Sequence, residues 1–218
     1  MLEHGGLVAL HEPFDNIADH GSTMVNGHPV SDPAELIAAM RGLAGTARVF
    51  FKETTDRRHH AALADRRFLA EATHTFLIRA PAEIAASCYA LQGERLSLSE
   101  IGLEHAYDLY QAILAAGGTA PVVVDSDDLI ADPAATVAAY CAAVGIPFSK
   151  PALCWAPGDR EEWRQSARWH ARVSESTGFT QSPTSYETTT ANNAMLARYS
   201  AHHEPFYRAL RARKIAIS

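Results

Sequence analysis

Apolar residues gather into four short runs along the chain, at 7–10, 49–51, 75–78 and 122–124, each rich in Val, Ile, Leu or Phe. Runs of this length, bounded by polar or turn-forming residues, predict buried strands rather than helices. The stretches between them are rich in alanine and carry apolar residues at helical spacing, notably 34–43, 61–71, 82–91, 103–116 and 133–144. Strands that alternate with helices predict an α/β fold with a parallel sheet flanked by helices in three layers.

Boundary chemistry supports this. Asp32-Pro33 and Asp132-Pro133 each set a capping carboxylate before a proline at the first helical position, and Gly145 closes the second of these helices. Beyond Pro157-Gly158 the chain turns polar, with Trp163, Trp169 and His170, and is then dense in Ser and Thr. Residues 158–190 are therefore expected to form a loop or lid. A last helix is expected over 193–213, basic at its end as the helix dipole favours. No internal repeat or low-complexity tract interrupts the 218 residues, which are read as a single domain, 1–218.

Composition narrows the function classes. A formal charge of −6 argues against a general nucleic-acid binder, which needs a basic surplus, yet leaves room for a local basic site for one small anion. Cys88, Cys141 and Cys154 show no CxxC spacing, so neither a disulfide framework nor a zinc ribbon is expected. No stretch approaches a membrane span, and residues 1–6 lack the basic and apolar regions of a signal peptide, so a cytoplasmic protein is expected. The glycine-rich nucleotide fingerprints, the HExxH metal motif and the GxSxG nucleophile elbow are all absent.

The most informative segment is Thr75-Phe-Leu-Ile-Arg79-Ala-Pro81, with Ser87 eight residues after the arginine. An arginine at the carboxyl end of a strand lies where α/β sheets bind ligands, and its planar fork suits a phosphate. A serine on the following helix can add one hydrogen bond. The same residues also fit a surface arginine and a packed helical serine. Strand ends at His11, Lys52, Arg79 and Asp125-Ser126 are expected to converge on one sheet edge.

Arg79-x-Pro81 followed by Ser87-x-Tyr89 after an apolar strand resembles the 3′-phosphate motif of sulfotransferases that use 3′-phosphoadenosine 5′-phosphosulfate (PAPS). Phe51-Lys52-Glu53-Thr54 is similar to that family's Val-Lys-Thr-His strand end. Val123 to Leu129 with Asp132-Pro133 is similar to its Tyr-Glu-Asp-Leu and Asn-Pro segment, and His11-Glu12-Pro13-Phe14 and Trp169-His170 resemble a bacterial branch. The resemblance implies a P-loop NTPase-like sulfotransferase fold. It further implies that PAPS or its product PAP is bound, with Arg79, Ser87 and Ser126 on the nucleotide and Lys52 facing the transferring sulfuryl group. No metal is expected, and the acceptor is a small molecule with a hydroxyl.

The chain departs from the family in three places. The catalytic histidine falls at Thr54, so His59 and His60, then His11, are the candidate bases, although His59 and His60 fit solvated helix-start residues as well. The C-terminal glycine-rich element is missing, which leaves Arg168, Arg172 or residues 174–178 to cover the nucleotide. The family's first strand and 5′-phosphosulfate loop have no counterpart before residue 7, so the fold is read as N-terminally incomplete. Two other readings stay open: a non-catalytic sulfotransferase fold serving as a binding or homodimerising module, and a metal hydrolase recruiting His11, His59, His60, His202, His203 and nearby carboxylates. Trp155, Trp163, Trp169 and Phe179 are candidates to line an acceptor mouth or to pack a lid.

Overall fold

The computed structural model describes residues 2–161, 166, 169–179 and 185–217. In chain order the elements are β1 (Val8–His11), α1 (Pro13–His20), β2 (Thr23–Val25), β3 (His28–Val30), α2 (Pro33–Ala44), β4 (Val49–Lys52), α3 (His60–Ala64), α4 (Arg66–Glu71) and β5 (Thr75–Ile78). They continue with α5 (Pro81–Gln92), α6 (Leu103–Ala116), β6 (Val122–Asp125), α7 (Ser126–Ala131), α8 (Pro133–Val144), α9 (Ala171–Ser174) and α10 (Ala194–Arg211). The four expected strands are β1, β4, β5 and β6, and the fold is α/β with flanking helices, but the strands form two separate parallel pairs, β1–β4 and β5–β6, where a single parallel sheet with one shared edge was expected.

The chain forms two compact units. The first comprises Met1–Thr54, His59–Ala64 and Ser149–Phe179. Its β1 and β4 pair in parallel with His11 opposite Lys52. Phe14, Ile17, Leu36, Ile37 and Met40, from the inner faces of α1 and α2, are buried. Asp32 caps α2 as expected, its Oδ1 accepting the Ala34 and Glu35 N–H groups at 2.8 and 3.0 Å. The antiparallel hairpin β2–β3 was not anticipated. Its turn is Asn26-Gly27, both at positive φ (50° and 79°), the dipeptide that a two-residue hairpin turn favours.

The second unit comprises Thr55–Arg58, Asp65–Phe148 and Thr180–Ser218. β5 and β6 pair in parallel with Ile78 opposite Asp125. The other side of β6 receives the chain after α10, where the Ile215 N–H donates to the Val123 carbonyl at 2.9 Å. Phe76, Ile78, Ala85, Leu103, Tyr110, Ile113, Val123, Leu196 and Leu210 belong to its continuous core, so α5, α6 and α10 all bury apolar faces there. Asp132 caps α8 through the Ala135 N–H at 2.9 Å and Gly145 ends it at φ 69°, as expected.

The helix expected over 61–71 is instead two, because Asp65 turns its carboxylate onto the Phe68 N–H at 2.8 Å and starts α4 afresh. Of the expected lid, residues 162–165, 167–168 and 180–184 lie outside the described residues, and with them Trp163 and Arg168. No helix among the described residues is long and apolar enough to cross a membrane.

Candidate functional site

In the first unit the register that sets His11 opposite Lys52 brings two predicted residues to the same strand end. Glu12 follows at once, in the left-handed conformation (φ 46°, ψ 51°), with its N–H donating to the Lys52 carbonyl at 2.7 Å. A non-glycine residue held there costs about 1 kcal/mol or more, which the surroundings must offset. The Lys52 ammonium donates to Glu12 Oε1, and His11 Nε2 stands 3.5 Å from Glu12 Oε2. Burial pushes the Glu12 carboxyl up, but Lys52, His11 and His170 together outweigh it and hold the group below the ordinary glutamate value. His170 comes from just before α9, its Nε2 3.2 Å from His11 Nε2. Burial holds its imidazole toward the neutral form.

Behind this end lies a pair of carboxyl groups. Glu53 accepts the Phe14 N–H at 2.7 Å and the Thr54 N–H at 3.2 Å, and it shares a hydrogen bond with the buried Asp15. Burial, then the charge of Asp15, pushes Glu53 up to about 9, so it carries a proton at neutral pH. Thr54, at the position the resemblance gives to a histidine, donates its hydroxyl to Asp15 Oδ2 at 2.5 Å. His59 Nε2 lies 3.2 Å from the Thr54 carbonyl oxygen and 3.8 Å from Asp15 Oδ1, with its ring against Phe14. His60 is the exposed first residue of α3.

Two groups of described residues bring metal-ligating atoms within 4.8 Å of one another: His11, Glu12 and His170, and Asp15, Glu53 and His59. Both lie in the first unit. Neither was anticipated as a group, because their members are far apart in sequence.

In the second unit, Arg79 follows β5 directly and its Nε donates to Glu83 Oε2 at 2.7 Å, one turn on along α5. Its terminal nitrogens make no hydrogen bond among the described residues. Ser87 lies half-buried further along α5, beside Cys88, whose thiol burial pushes up to about 11. A thiol so raised is a poor nucleophile. Asp125 ends β6 fully buried, accepting the Tyr207 hydroxyl at 3.0 Å, pairing with Arg211 at 3.1 Å and capping α7 through the Asp127 N–H. Ser126 follows, its Oγ buried with no hydrogen-bond partner among the described residues. Tyr207 and Arg211, which complete this strand end, were missed because they lie on the last helix, more than eighty residues away. Arg172 is in α9, but its side chain lies outside the described residues.

A protein-family model described as a sulfotransferase domain matches residues 18–214. Two curated relatives from Arabidopsis thaliana are similar to the chain. Branched-chain-amino-acid aminotransferase-like protein 2 is 34% identical over 122 residues, 56% of this chain and 21% of that protein. Branched-chain-amino-acid aminotransferase-like protein 1 is 36% identical over 117 residues, 53% of this chain and 20% of that protein. The chain thus spans about a fifth of the length of these relatives. Among solved structures, the sulfotransferase domain from the curacin biosynthetic pathway is 13% identical with a TM-score of 0.37, covering 78% of this chain and 67% of that one.

Proposed function

The chain belongs to the sulfotransferase domain family, and from that premise we propose that it transfers a sulfuryl group from PAPS to a hydroxyl of a small-molecule acceptor. The acceptor oxygen forms a bond to sulfur as the bond from sulfur to the 5′-phosphate oxygen breaks. The electron pair leaves with PAP, and the hydroxyl proton passes to a base. Lys52 faces the sulfuryl group and stabilises the charge that grows on the leaving oxygen. Doing so requires the ammonium to turn from Glu12, a movement open to a side chain that is 44% exposed.

His59 takes the role of base, ahead of His60 and His11. Asp15 beside it is placed to orient the ring, and the Thr54 hydroxyl is already committed to Asp15. Arg79 holds the 3′-phosphate with Ser87, and Ser126 and Arg172 serve the nucleotide. Removal of His59 as His59→Ala lowers turnover by about 10²–10⁴-fold while nucleotide affinity is kept.

The observation that carries the reading is Arg79: a guanidinium at the carboxyl end of a parallel strand, anchored through Nε with its terminal nitrogens open to an anion. The test is calorimetry with PAP and 5′-AMP, which differ in the 3′-phosphate. The wild-type chain binds PAP more tightly, and Arg79→Ala removes that preference, a loss of about 1.5–3 kcal/mol. Ser87→Ala has a smaller effect. An unchanged preference in Arg79→Ala overturns the assignment.

A second reading, nucleotide binding without turnover, draws on Lys52 being ion-paired and on threonine standing at position 54. It predicts the same PAP preference with no sulfated product.

A further inference from the structure

We propose that His11, Glu12 and His170, with Ser166, form a tetrahedral binding site for a zinc-class divalent ion in the first unit. The separations among the donor atoms carry this. His11 Nε2 lies 3.2 Å from His170 Nε2, 3.1 Å from Ser166 Oγ and 3.5 Å from Glu12 Oε2, and Ser166 Oγ lies 3.2 Å from His170 Nε2. Zinc bonds nitrogen and oxygen at about 2.0–2.2 Å, which puts tetrahedral ligand atoms about 3.3–3.5 Å apart. The His11–Glu12 separation falls in that range, the other three are slightly shorter, and the ligating atoms of His11, Glu12 and His170 all lie within 4.8 Å of one another.

Ring orientation adds a separate argument. A head-to-head hydrogen bond between two imidazoles with nitrogens 3.2 Å apart puts the ring centres about 5.5 Å apart when the rings point straight at each other. The observed centre-to-centre distance is 5.0 Å with the ring planes 65° apart, so the two rings do not point straight at each other.

The chemistry of the donors fits as well. Two imidazoles and a carboxylate are ligands zinc accepts, and a hydroxyl or the water in its place completes four. Glu12 presents Oε2 toward His11 while Oε1 holds the Lys52 ammonium, so in the chain without nucleotide Lys52 orients the ligating carboxylate from outside, as second partners of metal ligands do. The left-handed conformation of Glu12 sets its carboxylate beside the preceding histidine. Such an ion ties the end of β1 to residues 166 and 170. The site also leaves His170 with a use that the sulfuryl-transfer reading does not supply.

The test is metal content and spectroscopy on the full chain without nucleotide, so it stands or falls apart from the PAP measurement. Chelator-stripped protein titrated with Zn²⁺ binds one equivalent and melts at a higher temperature, and Mg²⁺ does not replace it. Co²⁺ in the same site gives the intense visible bands of four-coordinate cobalt. His170→Ala and His11→Ala each weaken binding roughly tenfold or more, as does Glu12→Gln, which preserves shape if the alanine variants fold poorly. His202→Ala, at an exposed histidine paired with Glu104, changes nothing. No binding at one equivalent, or binding kept by the His11→Ala/His170→Ala double variant, overturns the proposal. Loss in Asp15→Asn but not in His170→Ala overturns it too, and moves the ion to the other cluster.

Discussion

Both parallel strand pairs end in charged side chains, yet they surround a carboxyl group with different neighbours. At the end of β5 and β6, Asp125 is fully buried and meets hydrogen-bond donors: the Tyr207 hydroxyl, the Arg211 guanidinium and the Asp127 N–H of α7. At the end of β1 and β4, Glu53 meets a second carboxyl group, Asp15, and keeps its proton. At the second end, burial and then the neighbouring Asp15 decide the outcome for Glu53. The lesson is that a strand end acquires its chemistry from whichever distant element packs over it, and that burial alone does not say whether a carboxyl group is charged.

Asp125→Ala probes the charged end and has the largest effect. It strands the Tyr207 hydroxyl, frees Arg211 and uncaps α7, and costs about 3 kcal/mol in urea unfolding near neutral pH. A loss under 1 kcal/mol would mean that water replaces the carboxylate there and that the two ends differ less than their geometry states.

Glu53→Gln probes the neutral end. Because the folded value of about 9 lies above the unfolded value of 4.5, the folded state holds the proton more tightly. Its contribution is fully present below pH 4.5 and is lost as pH rises to about 9. Between the two values Glu53 makes wild-type stability fall by about 1.4 kcal/mol per pH unit in the middle of that window. Glutamine imitates the protonated acid, so the variant shows a flatter profile and overtakes the wild type on the alkaline side. Parallel profiles for the two proteins would show that Glu53 ionises in the folded chain as it does in the unfolded one.

Lys52→Met is the smallest effect. The Lys52–Glu12 pair joins a side chain that is 44% exposed to one that is largely covered, so solvent screens the attraction and stability changes by less than about 1 kcal/mol. A larger loss, absent at high salt, would make this pair a structural part of the strand end and not a group available to a ligand.

Local chemistry was legible in the linear pattern. The four apolar runs, the Asp-Pro helix starts and the glycine that ends α8 depend on residues within a turn or two, and the structure has each of them. Two local signals were passed over: Asn26-Gly27, which makes the β2–β3 turn, and Asp65, whose short side chain caps α4 and splits one expected helix into two. The position of Arg79 directly after β5 was readable for the same reason, whereas the register that sets Lys52 opposite His11 came only from the structure.

By itself, then, the sequence determined the α/β class, the four parallel strands and the helix starts at Asp32 and Asp132, because backbone sterics, capping and side-chain period act over a few residues. Tertiary structure alone decided which side chains meet at the strand ends. His11 and His170 are 159 residues apart, Tyr207 and Asp125 are 82 apart, and Glu53 and Asp15 share a proton across an intervening hairpin and helix. No periodicity encodes such encounters. They follow from how whole elements pack, and that packing sets the dielectric, the neighbours and hence the charge of every group at the strand ends.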